Sequence, residues 1–81
     1  MIKILYFASL AEALGVDAED VVQEGIKTAA ELIDLLSQRG EQWQALKADN
    51  ILVAINQAMA KPSDSIVDGD EIAFFPPVTG G

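Results

Sequence analysis

Cysteine and histidine are both missing from the 81 residues. The first absence excludes disulfides, thiolate chemistry and cysteine metal sites; the second removes the usual general base at neutral pH and the commonest metal ligand. No metal site is evident. Covalent chemistry is left to a carboxylate, a lysine, a hydroxyl or a chain terminus, which argues against an enzyme acting alone and places catalysis on a partner. Basic residues are scarce too, five Lys and Arg against thirteen Asp and Glu, for a net charge of −8. Phosphate binding needs clustered cations, so this balance argues against nucleic acid and anionic membranes, and most of the charge belongs to a solvated face. No apolar run is long enough to span a bilayer and Met1-Ile2-Lys3 starts no signal-peptide pattern, so a cytoplasmic location is expected.

What is present is short, apolar and periodic. Half the residues are hydrophobic, enough for one small domain. In Ile2-Lys3-Ile4-Leu5-Tyr6-Phe7, alternation puts Ile2, Ile4 and Tyr6 on one face and Lys3, Leu5 and Phe7 on the other. Ser9 and Glu12 have capping-box spacing ahead of a two-turn helix through Leu10 and Leu14 that Gly15 closes. A second strand, hairpinned to the first, is expected over Glu19 to Gln23 around Val21 and Val22. Thr28 and Glu31 form another capping box, opening the main helix, whose Ala29, Leu32, Ile33, Leu35 and Leu36 make a core stripe ending before Gly40. Glu41 to Asn50 reads as a helical connection with Trp43 and Leu46 inward. Ile51 to Ile55 is an apolar strand that turns at Asn56-Gln57 into Ala58-Met59-Ala60. Pro62 breaks pairing, and Asp68-Gly69-Asp70 turns into a last strand, Glu71 to Phe75, with Ile72 and Phe74 inward and Phe75 outward.

This order predicts an α+β fold, a ubiquitin-like β-grasp: a mixed sheet with one main helix packed across it and the first and last strands parallel at its centre. The domain is expected over 1–75, followed by an extended, flexible tail over 76–81 that ends in Gly-Gly. Pro76 and Pro77 lack backbone donors and fix φ, so the sheet must end there and the chain leave it stiff. Gly80 and Gly81 have no Cβ and can thread a slot too narrow for a side chain. A frayed terminus has no need of two prolines and an aromatic rooted in a strand, so the ending reads as a probe whose reacting group is the Gly81 carboxylate.

Asp68-Gly69-Asp70-Glu71 and Phe75-Pro76-Pro77-Val78-Thr79-Gly80-Gly81 resemble the sulfur-carrier small subunits of molybdopterin synthase, as do Met1 to Ala8 and Ala54-Ile55-Asn56-Gln57. The resemblance covers nearly the whole chain. It implies a role in molybdenum cofactor biosynthesis, with no bound cofactor, in which an E1-like adenylyltransferase uses ATP to activate the Gly81 carboxylate. A sulfur donor protein then leaves a thiocarboxylate, and the tail gives its sulfur to cyclic pyranopterin monophosphate inside the large synthase subunit, in a heterotetramer. The resemblance also implies that Phe7, Met59 and Phe75 face the large subunit, that Pro76, Pro77 and Val78 line the insertion path, and that Thr79 and Gly80 enter with Gly81. Two alternatives share the same adenylated ending: a ubiquitin-like modifier joined through Gly81 to lysines of other proteins, and a sulfur carrier for thiamine or tRNA thiolation.

Overall fold

The computed structural model describes residues 1–48 and 50–76. In chain order the elements are β1 (Ile2–Tyr6), α1 (Ser9–Leu14), β2 (Ala18–Val21), α2 (Ala29–Ser37), a 3-10 helix (Glu41–Lys47), β3 (Leu52–Ile55), β4 (Ala58–Ala60) and β5 (Glu71–Phe75). The strands form one sheet in the order β2-β1-β5-β3-β4. β1 pairs parallel with β5 and antiparallel with β2, while β3 lies antiparallel between β5 and β4. This is the β-grasp expected from the element order, with the first and last strands adjacent.

Alternation decides which half of each strand is covered. Ile2, Ile4 and Tyr6 of β1, Ile72 and Phe74 of β5 and Val53 of β3 are buried on one face of the sheet. There they join Leu10 and Leu14 of α1, Ala29, Leu32 and Leu36 of α2, and Trp43 and Leu46 of the 3-10 helix in a single core. α2 starts where the sequence says it should. The Thr28 hydroxyl accepts from the Glu31 N–H at 3.2 Å, and the Glu31 carboxylate accepts from the Thr28 N–H at 3.1 Å. The two bonds satisfy backbone donors that the first turn of a helix leaves free.

Three expectations are corrected. Ser9 and Glu12 form no capping box: Ala8 is the N-cap of α1 and no side chain caps that end. A turn bonded from the Leu10 N–H to the Phe7 carbonyl, 3.1 Å, delivers Ser9 into the helix one position too late to cap it. Leu35 leaves the core stripe; it is 46% exposed while Leu32 and Leu36 are fully buried. At about 100° per residue, a stripe centred on Leu32 and Leu36 turns Leu35 away from it. The second strand runs over Ala18–Val21 rather than Glu19 to Gln23, and Val22 lies exposed beyond it.

Two ties set the start of β5. Asn56 and Gln57 both have positive φ, 52° and 70°, the backbone of a tight hairpin whose twist matches the strands it joins. The Asn56 side chain donates to the Asp70 carboxylate at 2.9 Å and accepts from the Glu71 N–H at 3.0 Å. The Met1 ammonium pairs with Asp68, and the Lys3 N–H reaches the Asp70 carbonyl at 3.0 Å, which locks the starts of β1 and β5 together. No helix among the described residues is long and apolar enough to cross a membrane.

The corrected stripe makes a clean test. Leu36→Ala should cost about 3 kcal/mol in denaturant unfolding, the usual cost of a buried truncation, and Leu35→Ala about 0.5 kcal/mol or less, as at an exposed site. Equal losses would contradict the placement of Leu35.

Candidate functional site

The pairing register places the uncovered face of the sheet in two cross-strand rows. One row runs Leu5, Ala73, Ala54, Met59, from β1 to β4. The other brings Phe7 beside Phe75 and sets Phe75 opposite Leu52. Phe7 is 40% exposed, Leu52 39% and Met59 66%, so large apolar side chains stand in water on a face that no other element covers among the described residues. The opposite end of the same face is polar, with Lys3 between Asp20 and Glu71. The apolar end is therefore the end at which β5 finishes and the chain leaves the sheet at Pro76.

Two stacked aromatic pairs, back to back, form the root of that exit. On the covered face Tyr6 stacks on Phe74, with ring centroids 6.0 Å apart and planes 18° from parallel. On the uncovered face Phe7 stacks on Phe75 at 4.7 Å and 9°. Successive residues of a strand point to opposite faces, so one parallel register produces both pairs. The Phe7 N–H bonds the Phe74 carbonyl at 3.2 Å, continuing the ladder one residue past β1.

A polar network pins the inner pair. The Tyr6 hydroxyl donates to Glu19 Oε2 at 2.8 Å, and the Arg39 guanidinium grips the same carboxylate in a two-pronged pair at 2.8 and 2.9 Å. Arg39 also lies 4.7 Å above the Trp43 ring, which meets Tyr6 edge to face at 5.6 Å. Burial raises the Tyr6 phenol above its ordinary 10.0, helped by the bond to Glu19, so the hydroxyl remains a donor. The bond from Arg39, and then the one from Tyr6, hold Glu19 below its ordinary value despite partial burial. Residues 6, 19, 39 and 43 carry no shared motif, and nothing in the sequence foretold their meeting. Leu52 was likewise missed as a member of the exposed face, although the alternation in Leu52-Val53-Ala54-Ile55 carried the signal; Leu5 lies with Phe7 as the alternation in β1 places it.

Of the residues singled out from sequence, Phe7, Met59, Phe75 and Pro76 are described, and the first three share this face. Pro77, Val78, Thr79, Gly80 and Gly81 lie outside the described residues. Among the described residues no group of three or more acidic side chains is placed to hold a metal. A groove of about 390 Å³ on the helix side, between Ile33 and Asp34 of α2, Leu46 and Lys47 of the 3-10 helix and Pro62, is bordered by a 3.4 Å Lys47–Asp34 ion pair and is separate from the aromatic face. The candidate site is thus a flat apolar surface beside a chain exit, the form of a docking face rather than of a small-molecule pocket.

The fold defines the class, a ubiquitin-like β-grasp protein with an uncovered apolar sheet face beside the exit of its last strand. The structure is similar to the crystal structure of SAMP1, a small archaeal modifier protein from Haloferax volcanii, with a TM-score of 0.79 and 30% identity over 99% of this chain and 98% of that one. The model of the ThiS family matches residues 4–81, and the chain belongs to that family. Among curated relatives, it is 44% identical to the molybdopterin synthase sulfur carrier subunit of Haemophilus influenzae and 40% identical to that of Escherichia coli, each over 100% of both chains.

The network yields a pH prediction. Because the folded pKa of Glu19 lies below its ordinary 4.5, the stability this carboxylate contributes is fully present above that value and is lost as the pH falls through the lowered one. Thermal melts should show Glu19→Gln less stable than the native chain at neutral pH, with the gap closing only below the ordinary value. A gap that is unchanged into strong acid would contradict the assignment.

Proposed function

We propose that this chain is the sulfur carrier of a molybdopterin synthase, docking on the large subunit through the Phe7–Phe75 face and inserting the tail that leaves the sheet beside it. The observation that carries the reading is the position of the stacked pair, 4.7 Å apart, at the point where β5 ends. A partner that grips the face receives the tail at a defined place. The full-length likeness to carrier subunits supports the same reading.

The chemistry follows from the residue types. A free carboxylate is ionised at neutral pH and is a poor electrophile, so the Gly81 carboxylate must first be activated. In the proposed sequence it attacks the α-phosphate of ATP within an E1-like adenylyltransferase; pyrophosphate leaves and an acyl-adenylate forms. A sulfur donor protein displaces AMP, and the product is a Gly81 thiocarboxylate. Inside the large subunit its sulfur passes to cyclic pyranopterin monophosphate, and two carriers supply the two sulfurs of the dithiolene from opposite ends of a heterotetramer. Phe7, Met59 and Phe75 make the docking contact. Pro76, Pro77, Val78, Thr79 and Gly80 fill the path, where the glycines keep the reacting carbonyl unhindered. A chain without cysteine offers no thiol of its own to intercept the sulfur. These events belong in the cytoplasm, with ATP bound by the activating enzyme and no cofactor on the carrier.

A second reading is favoured by the likeness to SAMP1: a modifier joined through Gly81 to lysines of other proteins. Lysine-dependent conjugates in the native host, without a thiocarboxylate, would select it.

Two experiments test the carrier reading. With the large subunit, activating enzyme and sulfur donor reconstituted, deleting Gly81 should abolish molybdopterin formation while leaving the melting curve unchanged; activity in the truncated chain would overturn the reading. Phe7→Ala and Phe75→Ala should each weaken large-subunit binding about 30-fold, equivalent to about 2 kcal/mol at an interface anchor, in titration calorimetry. Unchanged affinity would remove the face from the mechanism.

A further inference from the structure

Ala8 has φ 54° and ψ −133°, backbone that an L-residue with a Cβ avoids and glycine adopts freely. Among the described residues, the other non-glycine residues with positive φ, Asn56 and Gln57, form the hairpin turn between β3 and β4. Ala8 is different, because its ψ falls outside the left-handed helical region. It occupies the second position of a turn closed by the 3.1 Å bond from the Leu10 N–H to the Phe7 carbonyl, in the geometry whose preferred occupant at that position is glycine. Nothing in the architecture requires alanine there, since a glycine would make the same turn without strain.

The strained residue directly follows Phe7. Strain of this kind persists where surrounding structure over-determines it, and it clusters at functional sites. Here the fixing contacts are the Phe7 N–H bond to the Phe74 carbonyl at 3.2 Å and the start of α1. We propose that Ala8 is a positioning residue: its Cβ confines the turn to a narrow range of φ and ψ, and so holds the Phe7 ring stacked on Phe75 before the large subunit arrives. The proposal rests on the docking role given above to Phe7 and Phe75. Glycine at this position would relax the strain but widen the range of backbone states, and Phe7, already 40% exposed, would sample orientations away from the stack. The partner would then have to order the ring on binding, a cost that preorganisation removes.

The opposite signs of the two effects separate positioning from ordinary structural support. Ala8→Gly should raise the melting temperature by about 4 °C, as relief of modest strain does in a domain of this size, yet weaken large-subunit binding about fivefold through lost preorganisation. A full-length chain made by chemical synthesis with D-alanine at this position provides the rescue. D-Alanine favours this turn and keeps a Cβ, so it should raise the melting temperature at least as much as glycine and bind the large subunit within about twofold of the native chain. Binding by Ala8→Gly equal to that of the native chain would overturn the proposal, as would a D-alanine chain that binds as weakly as the glycine variant. Phe7→Ala, measured in parallel, separates the two levels of the argument: if it binds normally, the docking role fails and the proposal with it, whereas weak binding by Phe7→Ala with normal binding by Ala8→Gly removes the proposal alone.

Discussion

The parallel pairing of β1 with β5 is the constraint on which the rest of this structure depends. It joins the two ends of the chain at the centre of the sheet, with Lys3 opposite Glu71 and Tyr6 opposite Phe74. Parallel neighbours cannot be linked by a hairpin, so every other element must fit within the crossover that connects them. α2 crosses the covered face, β3 and β4 extend the sheet beyond β5, and β2 extends it beyond β1. The same pairing decides the chemistry available at the surface: a single register stacks Tyr6 on Phe74 inside and Phe7 on Phe75 outside, and the chain leaves the sheet at that point. A slip of one residue would exchange the two faces and leave the exit without its aromatic platform.

A network of hydrogen bonds and ring contacts backs the platform. Tyr6, Glu19, Arg39 and Trp43 join β1, β2, the segment after α2 and the 3-10 helix through hydrogen bonds and ring contacts. A partly buried two-pronged ion pair resists rearrangement better than an exposed single contact does. The uncovered face bears few charges at its apolar end despite the net charge of −8. The acidic residues are spread over the rest of the surface, where they favour solubility, while Phe7, Leu52 and Met59 present exposed apolar side chains on the uncovered face.

Most of the architecture was legible because its signals are local. Period-two alternation in β5 identified Ile72 and Phe74 as core and Phe75 as outward, and in β1 it separated Ile2, Ile4 and Tyr6 from Leu5 and Phe7 without saying which set was covered. Thr28 and Glu31 announced α2, and Asn56-Gln57 announced a turn that the positive φ values bear out. Where the reading failed, tertiary structure overrode an identical local pattern. Ser9 and Glu12 have the same spacing as Thr28 and Glu31, but the turn at Ala8 delivers Ser9 past the capping position. Leu35 fits an apolar stripe by spacing alone, and only the position of the sheet shows that it faces water. The Glu19–Arg39 pair, 20 positions apart in the chain, and the strain at Ala8 have no sequence signature, since both arise from contacts between distant segments. The tail residues from Pro77 to Gly81 are known through their sequence and its family likeness.

If Gly81 carries sulfur, the sulfur must appear on the terminal carboxylate, where the intact mass of the chain reports it. The chain would be purified gently from a host that makes molybdenum cofactor, beside the same chain lacking Gly81. A sulfur carrier should show a species shifted by one oxygen-for-sulfur exchange in the full-length chain alone, which places sulfur on the terminal carboxylate. Unmodified mass in both chains, with the full-length chain recovered instead in covalent adducts with other proteins, would contradict the carrier role.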